Sequence, residues 1–195
     1  MTITKSDIEN DVKRLMSSLE NDYEIPTSWM IIKPIINKML VVYCMLFLAA
    51  IINGVVYYDK EYPLEIFLAG CFFSAIASIV LTVTALIMTY GNLSILMCIP
   101  KNVRDNSLLI NLGKKKIMTY GYVIVAINVV VAIVLISERR DFIIGYGISW
   151  FACMIIGGIT FSMSMSRYMT PAVIATLDKI RQVVSSEANG KQLHE

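Results

Sequence analysis

Charged side chains vanish from this chain in four long stretches, and that pattern alone predicts its architecture. Asp, Glu, Lys and Arg are absent from 39–58, 66–100, 117–137 and 142–166. Each stretch reaches the ~20 residues that an α-helix needs to cross a hydrocarbon core about 30 Å thick. In 117–137, 12 of 21 positions are Ile, Leu or Val. At about −0.3 to −0.6 kcal/mol each they contribute roughly −4 to −7 kcal/mol, so even a cost of about +3 kcal/mol at Asn128 leaves insertion favourable. The β-branched content would suit a strand, but strands rarely exceed about 10 residues. The pattern therefore predicts an all-α polytopic membrane protein with four transmembrane helices, over about 39–58, 66–88, 117–137 and 142–165. The second stretch continues through Ile95-Leu96-Met97-Cys98-Ile99. Tyr90-Gly91-Asn92 reads as a break before it, which would leave that tail at the interface.

The polar segments predict further elements. In 1–38, Ser6-Asp7-Ile8-Glu9 has capping-box spacing, and Ile8, Val12, Leu15, Met16 and Leu19 recur at helical intervals. This predicts an amphipathic helix that rests on the protein's own loop or the membrane, or presents Ile8, Val12 and Leu15 to a partner. Ile25-Pro26-Thr27-Ser28-Trp29 and Lys33-Pro34 are read as breaks leading into the first span, with Trp29 as an interfacial anchor. After the fourth span, Thr170 fits an N-cap and Pro171 the first helical position. Val173, Ile174, Leu177, Ile180 and Val184 then form one stripe opposite Asp178, Lys179 and Gln182. Amphipathic helices are thus expected in both terminal segments, 1–38 and 166–195, around a membrane domain at 39–165 with a middle loop at 89–116. The polar 185–195 tail is expected to fray, and its His194 to be solvated.

Composition sharpens the membrane reading, with 56% hydrophobic and 16% charged residues and a mean hydropathy of +0.65. A soluble domain carries about a quarter charged residues. The net charge of +2 hides an asymmetry. The segments at 1–38, 89–116 and 166–195 hold fourteen Lys or Arg, against three in the connections at 59–65 and 138–141. By the positive-inside rule both termini and the middle loop are cytoplasmic, as an even number of spans requires. Tyr57, Tyr58 and Tyr62 would mark one membrane surface, and Tyr90, Tyr120 and Tyr122 the other. No basic region followed by an apolar run opens the chain, so no secretory signal peptide is expected.

Candidate chemistry is sparse. No ionisable Asp, Glu, His, Lys or Arg falls within the spans to relay protons or couple ions. Cys44, Cys71, Cys98 and Cys153 lack CxxC spacing, and Gly145-x-Gly147 lacks the strand–turn–helix context of a nucleotide loop. Neither catalysis, a metal nor a cofactor is expected, and direct nucleic-acid contact has no continuous basic face to support it. Small residues are more informative. Gly70, Ser74, Ser78 and Thr82 share one face of the second span, and Gly158, Ser162 and Ser166 one face of the fourth. Such faces let helix backbones approach closely, within the four-helix monomer or at the seam of a homo-oligomer or partner. Asn53 and Asn128 require amide partners inside the bundle.

An amphipathic cytoplasmic start, the Ile25-Pro26-Thr27-Ser28-Trp29 entry with Lys33-Pro34, four short-looped spans and a helix after Tyr168-Met169-Thr170-Pro171 occur in an order that resembles the TraS family of entry-exclusion proteins of F-like conjugative plasmids. The resemblance implies a protein of the bacterial inner membrane that stops a plasmid-bearing recipient from taking up a related plasmid. It also implies a partner, the donor's mating-pair stabilisation protein TraG. Because the far-side connections are short, contact is expected on cytoplasmic surfaces, including Ile8, Val12, Leu15, Leu177, Ile180 and Val184. A small transporter or channel subunit, and a bacteriocin-immunity or membrane-assembly protein, are the alternative classes that this architecture serves.

Overall fold

The computed structural model describes residues 4–21, 26–57, 64–138, 145–171, 173–179 and 182, and the regular elements among them are helical. In chain order they are α1 (Lys5–Asn21), α2 (Ser28–Tyr57), α3 (Leu64–Cys98), α4 (Lys101–Asn106), α5 (Leu108–Glu138) and α6 (Tyr146–Ser166), followed by a helical segment at 173–179. Four of these, α2, α3, α5 and α6, are long and apolar enough to cross a membrane. The protein is an all-α, multi-pass membrane protein. The sequence-level expectations for Tyr58, Tyr62, Ile180, Val184 and the 185–195 tail fall outside the described residues.

Three boundaries differ from those the sequence suggests. First, α3 runs unbroken through Tyr90-Gly91-Asn92. A mid-helix glycine costs only about 1 kcal/mol relative to alanine. Gly91 has no other residue near the place its Cβ would occupy, so nothing there demands a turn. Second, Pro34 sits inside α2 rather than breaking it. Proline forfeits one intrahelical hydrogen bond at a cost of about 3 kcal/mol, and here it falls near the start of a 30-residue helix whose remaining turns are intact. Third, α1 is capped by Thr4, not Ser6. The Asp7 N–H donates to Thr4 Oγ1 at 3.4 Å, while the Thr4 N–H and hydroxyl donate to Asp7 Oδ2 at 3.0 and 2.6 Å. This is a reciprocal capping box. The Thr4 hydroxyl, followed by its backbone N–H, holds the Asp7 carboxyl below its ordinary pKa.

The 89–116 segment is also more ordered than a loop. It comprises the end of α3, the six-residue α4 and the start of α5, separated by Ile99-Pro100 and Ser107. At 35 residues α3 is about 52 Å long at 1.5 Å per residue, well beyond a hydrocarbon core of about 30 Å.

The contacts divide the chain into two compact units, with α2, α3, α5 and α6 contributing to both. The polar unit gathers 1–31, 90–118 and 160–195. Its interior has two apolar clusters. Ile8, Val12, Leu109, Met165 and Val173 form one, and Leu15, Cys98 and Ile99 the other, with Leu177 packed against both. Burying Ile8, Val12 and Leu15 at about 1.5–3 kcal/mol each gives a gross gain of roughly 5–9 kcal/mol. That is several times the contribution of a single helix cap, about 1 kcal/mol.

The apolar unit, 32–89 and 119–159, reverses the usual pattern of a soluble protein. Ala49, Ala50, Ser74, Ala85 and Ala132 are buried, while Phe72, Ile79, Ile87, Ile133 and Ile148 are exposed. Larger side chains such as Leu46, Leu81 and Trp150 are buried with them, but the many large apolar residues on the outside suit helices whose surroundings are hydrocarbon.

Candidate functional site

In the polar unit, helix-end chemistry organises α1. Ser107 leaves α4 in an extended conformation and caps α5, its Oγ accepting the Ile110 N–H at 3.3 Å. The same hydroxyl donates to Asp11 Oδ2 at 2.8 Å, and the Leu109 N–H donates to that oxygen at 2.9 Å. Asp11 of α1 therefore supplies a carboxylate to the N-terminus of α5, where the helix dipole favours negative charge. A second carboxylate repeats the arrangement. Thr170 caps the following helical segment, its hydroxyl accepting the Val173 N–H at 3.4 Å and donating to Glu9 Oε1 at 3.3 Å. Lys5 pairs with Glu9 at 3.7 Å.

Positive charge is placed at the opposite kind of helix end. The Lys116 ammonium donates to the Ser164 carbonyl at 2.9 Å and to its hydroxyl, near the C-terminus of α6, and lies 4.8 Å from the centroid of the Tyr168 ring. The Asp11 and Glu9 bonds tie α1 to the N-termini of α5 and of the helical segment at 173–179, with α1's apolar stripe inside the fold. Ile8, Val12 and Leu15, read from the sequence as facing either the protein's own loop, the membrane or a partner, are buried by the chain itself. The outward surface includes instead Asn10, Lys13 and Arg14 on α1, Lys101, Asn102 and Asp105 on α4, and Asp178 and Lys179.

In the apolar unit, Asn128 has no exposed surface and anchors a polar cluster. Its Nδ2 donates to Ile124 O at 2.9 Å within α5. From α6, Ser149 donates to Asn128 Oδ1 at 2.9 Å and Tyr146 donates to Asn128 O at 3.1 Å. Tyr146 also meets the buried Trp150 edge to face, with ring centroids 6.3 Å apart. Asn53 is buried in α2.

The small-residue faces are placed unequally. Gly70 and Ser74 are buried, and Ser78 and Thr82 half-buried. Ser78 and Thr82 donate to carbonyls one turn earlier in α3, and Thr82 also pairs with Tyr43 of α2. Gly158 is half-buried beside Met88, whereas Ser162 and Ser166 are exposed.

No protein-family model, curated protein or solved structure matches the chain. The candidate site is accordingly built from its own geometry.

Several contributors escape a reading of sequence alone. α6 makes a close approach at Gly147, where an added Cβ would lie 2.6 Å from Ala77 Cβ. Gly54 and Gly157 make similar approaches to Phe67 and Ile124. Asp11 and Glu9 resemble ordinary solvated positions of an amphipathic helix. The usable sign was Ser107, a capping residue preceding an apolar helical run, which requires an acceptor nearby. The aromatic pair Tyr146 and Trp150, spaced i,i+4 around Ser149, was the corresponding sign for the Asn128 cluster.

Proposed function

We propose that this protein acts by recognition in a bacterial inner membrane, as an entry-exclusion protein that prevents a plasmid-bearing recipient from accepting a related conjugative plasmid. Its partner is a TraG-like mating-pair stabilisation protein from the donor. The observation that carries the proposal is the composition of the polar unit. The N-terminal, middle and C-terminal segments, which hold most of the Lys and Arg, fold together and expose charged side chains from α1, α4 and 173–179. This supports placing those segments on one side of the membrane, and the basic excess favours the cytoplasm. The order of segments described above supports the exclusion reading. Recognition then uses the outer charged surface, because α1's apolar stripe is already occupied.

Expression of the protein alone in recipient cells tests the proposal by mating. Transfer from a cognate F-like donor should fall while transfer from an unrelated conjugation system is unchanged. Equal transfer from F-like donors with and without the protein, despite its confirmed presence in the membrane, rejects it.

A further inference from the structure

A groove of about 730 Å³ runs between α2 and α5 in the apolar unit. Its floor includes Ala49 and Ala132, both buried, and its walls carry Met45 and Val129. Tyr146 of α6 also lines it, with its hydroxyl donating to the Asn128 carbonyl at 3.1 Å, and the remaining polar side chains sit at one end. There Tyr57 donates its hydroxyl to the Ile136 carbonyl, and Ser137 donates to Val134 O at 2.9 Å. Tyr57 is the last residue of α2, and Ser137 lies one residue before the end of α5, so both mark the same end of the groove.

The dimensions distinguish two classes of occupant. From Met45 to Tyr57 the groove extends about 18 Å along α2, and from Val129 to Ser137 about 12 Å along α5. One leaflet of a bilayer with a hydrocarbon core of about 30 Å is about 15 Å deep. A partner's transmembrane helix would need a complementary face through both leaflets, whereas a single acyl chain needs one. The apolar trunk and polar end also match a lipid, whose chain lies in hydrocarbon and whose ester region lies at the membrane surface. Alanines at the floor create the depression between larger aliphatic side chains, and cavities of this size commonly hold small ligands.

We propose that this groove is a binding site for one acyl chain of a bilayer phospholipid, drawn from the leaflet at the Tyr57 end. The chain seats over Ala49 and Ala132, with its ester region beside Tyr57 and Ser137. The site is independent of the exclusion reading, since it requires only that α2 and α5 span the membrane.

The test uses the full-length protein in phosphatidylcholine vesicles containing a trace of phosphatidylcholine with a photoactivatable diazirine in one acyl chain. Labelled positions are mapped by mass spectrometry. Labelling at Met45–Tyr57 and Val129–Ser137 should exceed that at the exposed α3 residues Phe72 and Ile79 by about tenfold. Ala132→Phe, which fills the floor, should remove the excess while leaving α3 labelling unchanged. Even labelling of the groove and α3 in the wild-type protein overturns the proposal without relying on a variant's folding. Groove labelling below that of α3 also overturns it, because protein would then cover the site. An excess that persists in a correctly inserted Ala132→Phe protein would assign the lipid elsewhere.

Discussion

At Asn128, a polar side chain is held among aliphatic residues by bonds to both its own helix and α6. Hydrogen bonds between membrane helices contribute only about 0.6 kcal/mol on average and up to about 1.7 kcal/mol, because the separated helices also find partners. Ser149→Ala should therefore destabilise the protein by about 1 kcal/mol, measured by reversible unfolding in mixed micelles. Asn128→Asp should be more harmful, as a central charge costs about 2.5–3.5 kcal/mol on insertion, and its membrane abundance should fall. Two glycines provide a steric contrast. Gly147→Ala would drive its methyl into Ala77 Cβ, beside the backbone, and should cost about 1–3 kcal/mol in the same assay. At Gly158 the obstructing atom is the flexible Met88 methyl end, so Gly158→Ala should be close to neutral. These differences were not legible in the sequence. Small residues at helical spacing mark surfaces capable of close approach, but not which neighbouring atom fills the space.

The helices show which features local sequence does convey. Uncharged apolar stretches identify spanning helices because a buried charge is costly, and this signal does not depend on a tertiary partner. Their ends were less legible. Gly91 is a turn signal only when a positive φ or close approach requires it, and α3 has neither there. Thr4-x-x-Asp7 and Ser6-x-x-Glu9 both have capping-box spacing, and only the hydrogen bonds distinguish them. Asp7 also predicts a pH response. Its folded-state pKa is lowered, so the associated stability is present above the unfolded-state pKa and is lost as pH falls through the folded value. Amide exchange at the first turn of α1 should accelerate over that acidic window, and Asp7→Asn should suppress the response. For α1 as a whole, Asp11 is the more informative position. Asp11→Ala removes the acceptor for Ser107 and Leu109 N–H and should weaken docking by about 1–2 kcal/mol. Faster exchange across Lys5–Asn21, with little change in α3, would register the loss.

On the scale of the whole protein, the charge asymmetry predicts that three charge-bearing segments share one membrane side, and the structure gathers those segments into one compact unit. Their apolar stripes are used to assemble that unit, leaving the charged exterior as the proposed recognition surface. The stripe on α1 was visible in the 3.6-residue period, but periodicity alone could not distinguish an internal neighbour from another protein. Lys13 and Arg14 provide a direct test because both are exposed and neither participates in the Asp11 or Glu9 contacts described above. Exclusion should be measured in matings between a cognate F-like donor and recipients expressing either wild-type protein or Lys13→Glu/Arg14→Glu at equal membrane abundance. Wild-type protein should lower transfer, and the charge-reversed protein should restore it by at least about tenfold, a change corresponding to about 1.4 kcal/mol. Equal exclusion by the two proteins would contradict recognition through this surface, and no exclusion by wild type would contradict the proposed function itself.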